Sequence, residues 1–126
     1  MQLTRHQTMK RASEFAMVRA QGSSAAGRFL VLATLPYPGE GAGAEESRFG
    51  IITTKRLGHA VVRNLLRRRI REILRAHGEP LQHGHYVVLI PRHTAATAAY
   101  TELEKDFKRL LKRKHFTNQA PTAAGC

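Results

Sequence analysis

The residues of this sequence best suited to chemistry are arginines, and most of them lie in one segment. Between Lys55 and Arg75 there are eight basic residues and one acid, Glu72, so this segment holds +7 of the chain's formal net charge of +12. Seven of the eight are arginine, whose planar guanidinium donates paired hydrogen bonds to phosphate. A solvated helix face, the alternative, more often mixes lysine with glutamate. The segment therefore indicates a phosphate-rich partner, most often a nucleic acid.

The periodicity of the same segment predicts an amphipathic helix from residue 59 to 77. At about 100° per residue, the apolar arc holds Val62, Leu65, Leu66, Ile70, Ile73 and Leu74, and the opposite arc holds Arg63, Asn64, Arg67, Arg68, Arg71 and Arg75. Arginines four residues apart lie about 6 Å apart along the axis, close to one phosphate-to-phosphate step. Glu72 is spaced to pair with Arg68 and Arg75. Arg69 projects into the apolar arc, where its stem lies along the core or the helix packs less deeply.

Other elements must position this helix. The patterns predict a helix over 13–21, with Ser13 as its N-cap, and a short extra strand around 23–26. Two strands follow, over 28–35 and 47–53, joined by a hairpin loop over 36–46. After the arginine helix come a strand over 85–90, closed by Pro91, and a helix over 95–114. An antiparallel hairpin followed by a strand–helix–strand unit with parallel strands gives an α+β fold. We expect a small mixed sheet of about four strands packed with three helices, in the order αβββαβα.

Length and composition narrow the class of protein. With 126 residues and 42% apolar content the chain supports one core, and we expect a single domain over 1–116 and a disordered tail over 117–126. No apolar run approaches the roughly 18 residues that span a bilayer, and residues 1–10 show no secretory signal. The single cysteine, Cys126, fits a reducing compartment. We therefore predict a cytoplasmic protein without a membrane partner.

Residues for protein-based catalysis are scarce. The acids show no pair at a spacing that suggests a cleft, and the glycine-rich stretch within 36–46 lacks the lysine and helix of a phosphate-binding loop. His77, His83 and His85 could meet near one turn, but without cysteine or a neighbouring aspartate a zinc site is the weaker hypothesis. Exposed or capping histidines are favoured. The sequence predicts no catalytic residue, no metal bound by the protein itself and no small-molecule substrate.

The arginine segment resembles the signature of one family. Lys55-Arg-Leu-Gly-His-Ala-Val-Val-Arg-Asn-Leu-Leu-Arg-Arg-Arg-Ile-Arg-Glu72 is similar to the "RNR" motif of the protein component of bacterial ribonuclease P. The flanks agree as well, with Ser13-Glu-Phe15 before a glycine, Arg28 opening a strand and a basic final helix. The resemblance covers about residues 8 to 114.

The resemblance implies a fold like ribosomal protein S5 domain 2 and a role as accessory subunit of an endoribonuclease. In that family a catalytic RNA, using Mg²⁺, removes the 5′ leader from precursor tRNA, so the implied partners are that RNA and precursor tRNA. The positions matching the RNA-facing part of the motif are Lys55, Arg56, His59, Arg63, Asn64, Arg67, Arg68 and Arg71. Lys10, Arg11 and Phe15 match a cleft that takes the single-stranded leader, and a core position is the alternative for Phe15.

Some positions depart from the family pattern, and other functions fit the composition. Thr8 stands where a basic residue is common, Arg19 and Ala33 where aromatics are frequent, and His59 where asparagine is usual. A ribosomal or ribosome-assembly protein would suit the charge equally, and only the motif separates the two. A protein nuclease would need a carboxylate cluster that binds metal, and a DNA-binding helix-turn-helix would need a preceding partner helix.

Overall fold

The apolar runs that follow Gly27 and Gly84 form the two central strands of a four-stranded sheet. The structure is a computed structural model that describes residues 8–9, 11–39, 41 and 45–114. Its elements are α1 (Ala12–Gln21), β1 (Ser23–Ala26), β2 (Leu30–Pro36), β3 (Arg48–Ile51), α2 (Ala60–His77), β4 (His85–Pro91) and α3 (Tyr100–Arg113), with 3₁₀ turns at Lys55–Leu57, Glu79–Leu81 and His93–Thr97. The predicted α+β class, the order αβββαβα and the short strand at 23–26 are confirmed. The predicted tail over 117–126 lies outside the described residues.

The sheet order is β1-β2-β4-β3, and this corrects the predicted hairpin between the second and third strands. Strand β4 lies between β2 and β3, antiparallel to the first and parallel to the second. Val87, Val88 and Leu89 are buried on both faces of β4, so this strand must be central. The segment after β2 therefore crosses the end of β4 instead of turning back. There Tyr37 N donates to Gly84 O over 2.8 Å, and Gly84 N donates to Glu45 O over 2.8 Å.

Alternate residues of the sheet supply two apolar clusters. On one face Leu30, Leu32 and Leu89 join the main core with α2 and α3. On the other face Ala33 and Val88 pack with Met9 and Val18 beneath α1. Helix α1 covers only part of this second face. Its own Phe15 is therefore half-buried, as are four side chains outside the helix: Leu35, Ile52, Tyr86 and Ile90.

Three predicted boundaries shift by a few residues. Helix α1 begins at Ala12 with Arg11 as its N-cap, so Ser13 lies inside the helix and does not cap it. Pro91 is the last residue of β4, paired with Leu30, instead of a residue beyond the strand. Helix α3 begins at Tyr100 because a 3₁₀ turn occupies the preceding residues.

The buried carboxylate of Asp106 joins α3 to the turn between β1 and β2. Asp106 is 2% exposed. Its two oxygens accept hydrogen bonds from the backbone N–H groups of Arg28 (3.1 Å), Phe29 (2.9 Å) and Leu30 (2.9 Å). These donors lie at the start of β2 and just before it. Those of Phe29 and Leu30 are buried and that of Arg28 is partly buried, and a buried donor without a partner costs about 1–3 kcal/mol. One side chain of α3 therefore fixes where the first two strands meet the helix layer.

Two polar contacts join α2 to its neighbours. His77 Nε2 lies 2.7 Å from Glu104 Oε2 of α3, and both side chains are about three-quarters buried. Arg69 Nη1 donates to Ala98 O over 3.1 Å, just before α3 begins. The stem of Arg69 therefore runs along the core while its guanidinium binds a carbonyl, the first of the two expected arrangements. His77 is neither exposed nor a cap, which corrects the prediction for that residue.

Replacing Asp106 with alanine should lower the free energy of unfolding by about 2 kcal/mol or more, because two buried N–H donors and one partly buried donor lose their acceptor. Urea unfolding followed by circular dichroism measures the change. Lys108→Ala, an exposed position on the same helix, is the matched control and should change stability by less than about 0.5 kcal/mol. Equal stability of the Asp106→Ala and parent proteins would contradict the role given to this carboxylate.

Glu104→Gln should lower the free energy of unfolding near neutral pH and have a smaller effect at acid pH. The hydrogen bond with His77 lowers the pKa of Glu104 from its ordinary 4.5, and the charges of His77 and Lys108 lower it further. The unfolded chain then binds a proton more readily than the folded chain, so this stabilisation is complete above about pH 4.5 and is lost as pH falls through the lower folded value.

The measurement is a double-mutant cycle of Glu104→Gln and His77→Gln by thermal unfolding at several pH values. The coupling between the two positions should be present at pH 6 and shrink at lower pH as Glu104 is protonated. A coupling that does not vary with pH would show that charge on Glu104 contributes nothing to the α2–α3 contact.

Candidate nucleic-acid interface

The chain before α2 is shaped to expose its cations. Leu57 is buried and anchors the 3₁₀ turn, whereas Lys55 and Arg56 on the same turn are exposed. Gly58 has φ +131, and a Cβ there would lie 3.3 Å from Val62 Cβ, so the position requires glycine. His59 is the extended N-cap of α2 and makes no capping bond with its side chain. Lys55, Arg56 and His59 therefore lie at the positive end of the α2 dipole.

The cationic residues of α2 occupy two environments. Asn64, Arg68 and Arg71 are exposed, as predicted, but Arg63 and Arg67 are half-buried. Arg63 precedes the fully buried Ile70 by seven residues, which is about two helical turns, and so lies above it on nearly the same side. Its Nε is buried, and no acceptor among the described residues binds it. Arg63 therefore lies at the border of the core and not on the solvent arc.

Contacts within α2 orient some of these side chains. Arg67 Nη1 donates to Asn64 Oδ1 over 2.7 Å, which leaves the amide NH₂ of Asn64 as a donor at the surface. Glu72 forms an ion pair with Arg75, three residues on. Of the two arginines that the spacing offered to Glu72, Arg75 is the one that pairs in the described part of the chain, and Arg68 does not.

Two large apolar side chains lie on the exposed side of α2. Val61 is 79% exposed and Leu65 is 39% exposed. The prediction that Leu65 belongs to the buried arc is wrong. Leu65 lies about 80° around the axis from the buried Ile73, so the buried arc is narrower than the periodicity indicated.

The predicted leader-binding residues are only partly described. Lys10 lies outside the described residues, and Arg11 is exposed at the start of α1. Phe15 is half-buried, and a Cβ on Gly50 would lie 2.4 Å from its Cε1 atom, so the ring rests directly on the backbone of β3. Phe15 therefore belongs to the packed edge of the sheet and also presents ring surface beside α1.

The structure adds residues to this cleft that the sequence analysis missed. A cavity of about 620 Å³ lies between α1 and the chain after β2, and its wall includes Arg11, Glu14, Tyr37, Arg48 and Tyr86. The rings of Tyr37 and Tyr86 meet edge to face, with centroids 4.7 Å apart. Tyr86 could have been found from the alternation in 85–90, which places it on the face of Val88. Tyr37 lies in a loop and carried no such signal.

Polar contacts hold this wall in place. The Tyr37 hydroxyl donates to Glu46 O over 2.7 Å, and burial raises its pKa to about 12 although Arg48 opposes the change. Arg48 Nη1 lies 3.3 Å from Glu14 Oε2. The cleft thus combines two aromatic rings with two arginines, and three glutamates, Glu14, Glu45 and Glu46, also line it.

The histidines do not assemble a metal site. Within the described ranges no three His, Cys, Asp or Glu side chains are placed to hold an ion. His77 binds Glu104, and His85 Nδ1 lies 2.9 Å from the backbone oxygen of His83. The zinc site that His77, His83 and His85 could have formed, the weaker hypothesis from the sequence, is therefore not present among the described residues. No helix in the described part of the chain is long and apolar enough to cross a membrane.

Comparison with known proteins gives one consistent result. A family model described as Ribonuclease P matches residues 3–115. The chain is 32% identical over 114 residues to the ribonuclease P protein component of Clostridioides difficile, covering 90% of this chain and 96% of that one. It is 31% identical over 105 residues to that of Syntrophomonas wolfei, covering 83% and 84%. The solved RNase P protein of Staphylococcus aureus superposes with a TM-score of 0.77 at 26% identity, covering 89% of this chain and 98% of that one.

Proposed function

This chain belongs to the ribonuclease P family and is the protein subunit of that ribonucleoprotein, and from this premise we propose how it acts. Its partner is the ribonuclease P RNA, which it binds through the surface made by the 3₁₀ turn at Lys55–Leu57 and the exposed side of α2. The RNA carries the catalysis, with Mg²⁺ held by RNA. The protein supplies no catalytic residue and presents the 5′ leader of precursor tRNA to that centre.

The observation that carries the proposal is the uncompensated charge of α2. Between Lys55 and Arg75 the one acid, Glu72, is paired with Arg75, so the remaining cations have no carboxylate of their own segment to neutralise them. Arg63 and Arg67 have stems packed along the helix border, which reduces the side-chain entropy lost when they bind a phosphate. Arginines four residues apart along the helix have a spacing close to that of RNA phosphates. This arrangement favours an RNA-binding surface over a helix face that is only solvated.

The cleft beside α1 supports binding of the leader. Phe15 and Tyr86 give ring surface on the side of the sheet that α1 leaves half-covered. Arg11 gives positive charge, whereas the charge of Arg48 is paired with Glu14, so stacking contributes more than charge in this cleft. Stacking on aromatic rings tolerates any base, as a leader of variable sequence requires. The family frequently has an aromatic residue at the position of Ala33. Tyr86 lies on the same face of the sheet as Ala33 and supplies an aromatic ring there.

The proposed function predicts that the purified protein cleaves nothing and that, added to the ribonuclease P RNA, it lowers the Mg²⁺ concentration needed to process precursor tRNA. Reconstitution with labelled precursor tRNA over a Mg²⁺ series measures both. A substrate with a one-nucleotide leader is the control, and the protein should increase its affinity less than that of the full-length substrate. Cleavage by the protein without RNA would contradict the division of labour proposed here.

Arg67→Ala combined with Arg71→Ala should weaken binding to the RNA and flatten its salt dependence. Each phosphate that the variant no longer neutralises reduces the slope of log K against log[salt] by about 0.7–0.9. Filter binding at five salt concentrations measures the slope. Lysine at both positions is the matched control, because it keeps the charge and therefore most of the slope but cannot form the paired hydrogen bonds. An unchanged slope in the alanine variant would place both arginines away from RNA.

A further inference from the structure

The acids of α3 are all committed to contacts within the protein. Glu102 Oε1 accepts from Ala99 N over 3.0 Å at the start of the helix. Glu104 binds His77 of α2, and Asp106 accepts from the turn before β2. These three carboxylates form no ion pair with the cations on the outer side of the helix, although the charge of Lys108 acts on Glu104.

Those cations form a continuous outer face. Lys105, Lys108, Arg109 and Lys112 are exposed and follow each other at helical spacing, over about 10 Å of axis. None of the hydrogen bonds or ion pairs between described residues involves these four side chains. Cations near a helix C-terminus can simply stabilise the dipole, which would explain Lys112. It does not explain Lys105 and Lys108, which lie in the first two-thirds of α3.

A groove continues this face at the end of α3. It has a volume of about 480 Å³, and its wall combines hydroxyl groups, two cations, a histidine and small apolar surface: Ser23, Ser24, Thr34, Arg113, Lys114, His85, Ala25 and Pro36. Lys114 Nζ donates to Ser23 O over 3.0 Å and to Ser23 Oγ over 2.7 Å, and Arg113 Nη1 donates to Ala26 O over 2.7 Å. These bonds fix both cations against β1. Arg113 keeps a second amino group, and the serine hydroxyls keep their protons to donate.

This surface is separate from the one on α2. Strand β1 and strand β3 are the two edges of the sheet, about 14 Å apart at a strand spacing of about 4.8 Å. The groove lies at the β1 edge, and the 3₁₀ turn that carries Lys55 follows the β3 edge. One phosphate cannot contact both surfaces, so an occupant of the groove must be a different nucleotide or a different strand.

We propose that the outer face of α3 and the groove at β1, together the α3 surface, bind a second stretch of phosphodiester backbone in the ribonuclease P RNA. The inference rests on the proposed function and adds to it a contact that the signature motif does not include. Charge complementarity favours RNA as the occupant. The surface offers mainly cations and hydroxyls. Ala25 and Pro36 in the groove are small, and neither exposed large hydrophobic side chain of the described residues, Val61 or Leu65, lies on it, so it lacks the large apolar anchor typical of a protein partner. Most of its cations are lysines, which recognise phosphate as point charges.

The test compares Lys108→Ala/Lys112→Ala with Arg67→Ala/Arg71→Ala in the full chain bound to the ribonuclease P RNA. The lysine pair should lower the slope of log K against log[salt] by about 0.7–0.9 for each phosphate that the variant no longer neutralises, additively with the arginine pair. Matching melting temperatures of variant and parent show that folding is intact. Thr101→Ala, an exposed uncharged position of α3, is the control and should leave the slope unchanged.

Lysine acetylation read by mass spectrometry supplies the second arm. Lys108 and Lys112 should become at least several-fold less reactive in the complex, as should Lys55. Protection of Lys55 alone, with an unchanged slope for the lysine pair, would overturn the α3 proposal and leave the function of α2 standing. If neither pair changes the slope, both surfaces lose their assignment to RNA. Another outcome is that the parent protein binds anionic lipid vesicles while the lysine pair leaves the slope for RNA unchanged. That result would assign the α3 surface to a membrane and overturn the proposal.

Discussion

The contact on which the rest of this structure depends is the carboxylate of Asp106 among three backbone donors. A turn between two strands presents N–H groups that no neighbouring strand can satisfy, and in this protein the turn is buried against α3. The carboxyl group of one side chain of α3 accepts hydrogen bonds from these N–H groups. Because β2 is central to the sheet and α3 packs on it, the same carboxylate fixes the sheet relative to both helices of the main core. The cationic side of α2 is held in place through this arrangement.

The charge distribution follows from how the fold uses its acids. Glu14 binds Arg48, Glu72 binds Arg75, Glu104 binds His77, and Asp106 lies at the turn. Glu14 and Glu72 each pair with one exposed arginine, and Glu104 and Asp106 form contacts between elements, so among the described residues the other surface cations have no carboxylate partner. A formal charge of +12 therefore appears as separate basic surfaces instead of a network of surface ion pairs. The repulsion that remains is a cost that binding to a polyanion relieves.

The sequence predicted the elements and their order because periodicity and turn residues are local signals. It predicted the face of α2 less well. Arg63 and Leu65 exchanged their expected environments because the width of a buried arc depends on what packs against it, and that is set by distant residues. The place of β4 between β2 and β3 depended on pairing choices that no local pattern encodes. Tyr37 reaches the cleft only through a loop that crosses the sheet, which no local pattern predicts. The residues proposed to bind RNA could be named from the sequence because they belong to one continuous motif.

The two basic surfaces differ in physical character, and this difference bears on what each does for the complex. On α2 the guanidiniums of Arg63 and Arg67 have stems packed against the helix border, so little rotamer freedom remains to lose and the geometry of each contact is defined. On α3 the exposed lysines are flexible, strongly hydrated point charges. Such charges attract a polyanion over about a Debye length, roughly 8 Å at physiological salt, and tolerate small changes in its position. In the proposed complex the α2 surface therefore sets the orientation of the protein on its RNA. The lysines of α3 in that complex raise the association rate and hold a second strand without defining its register.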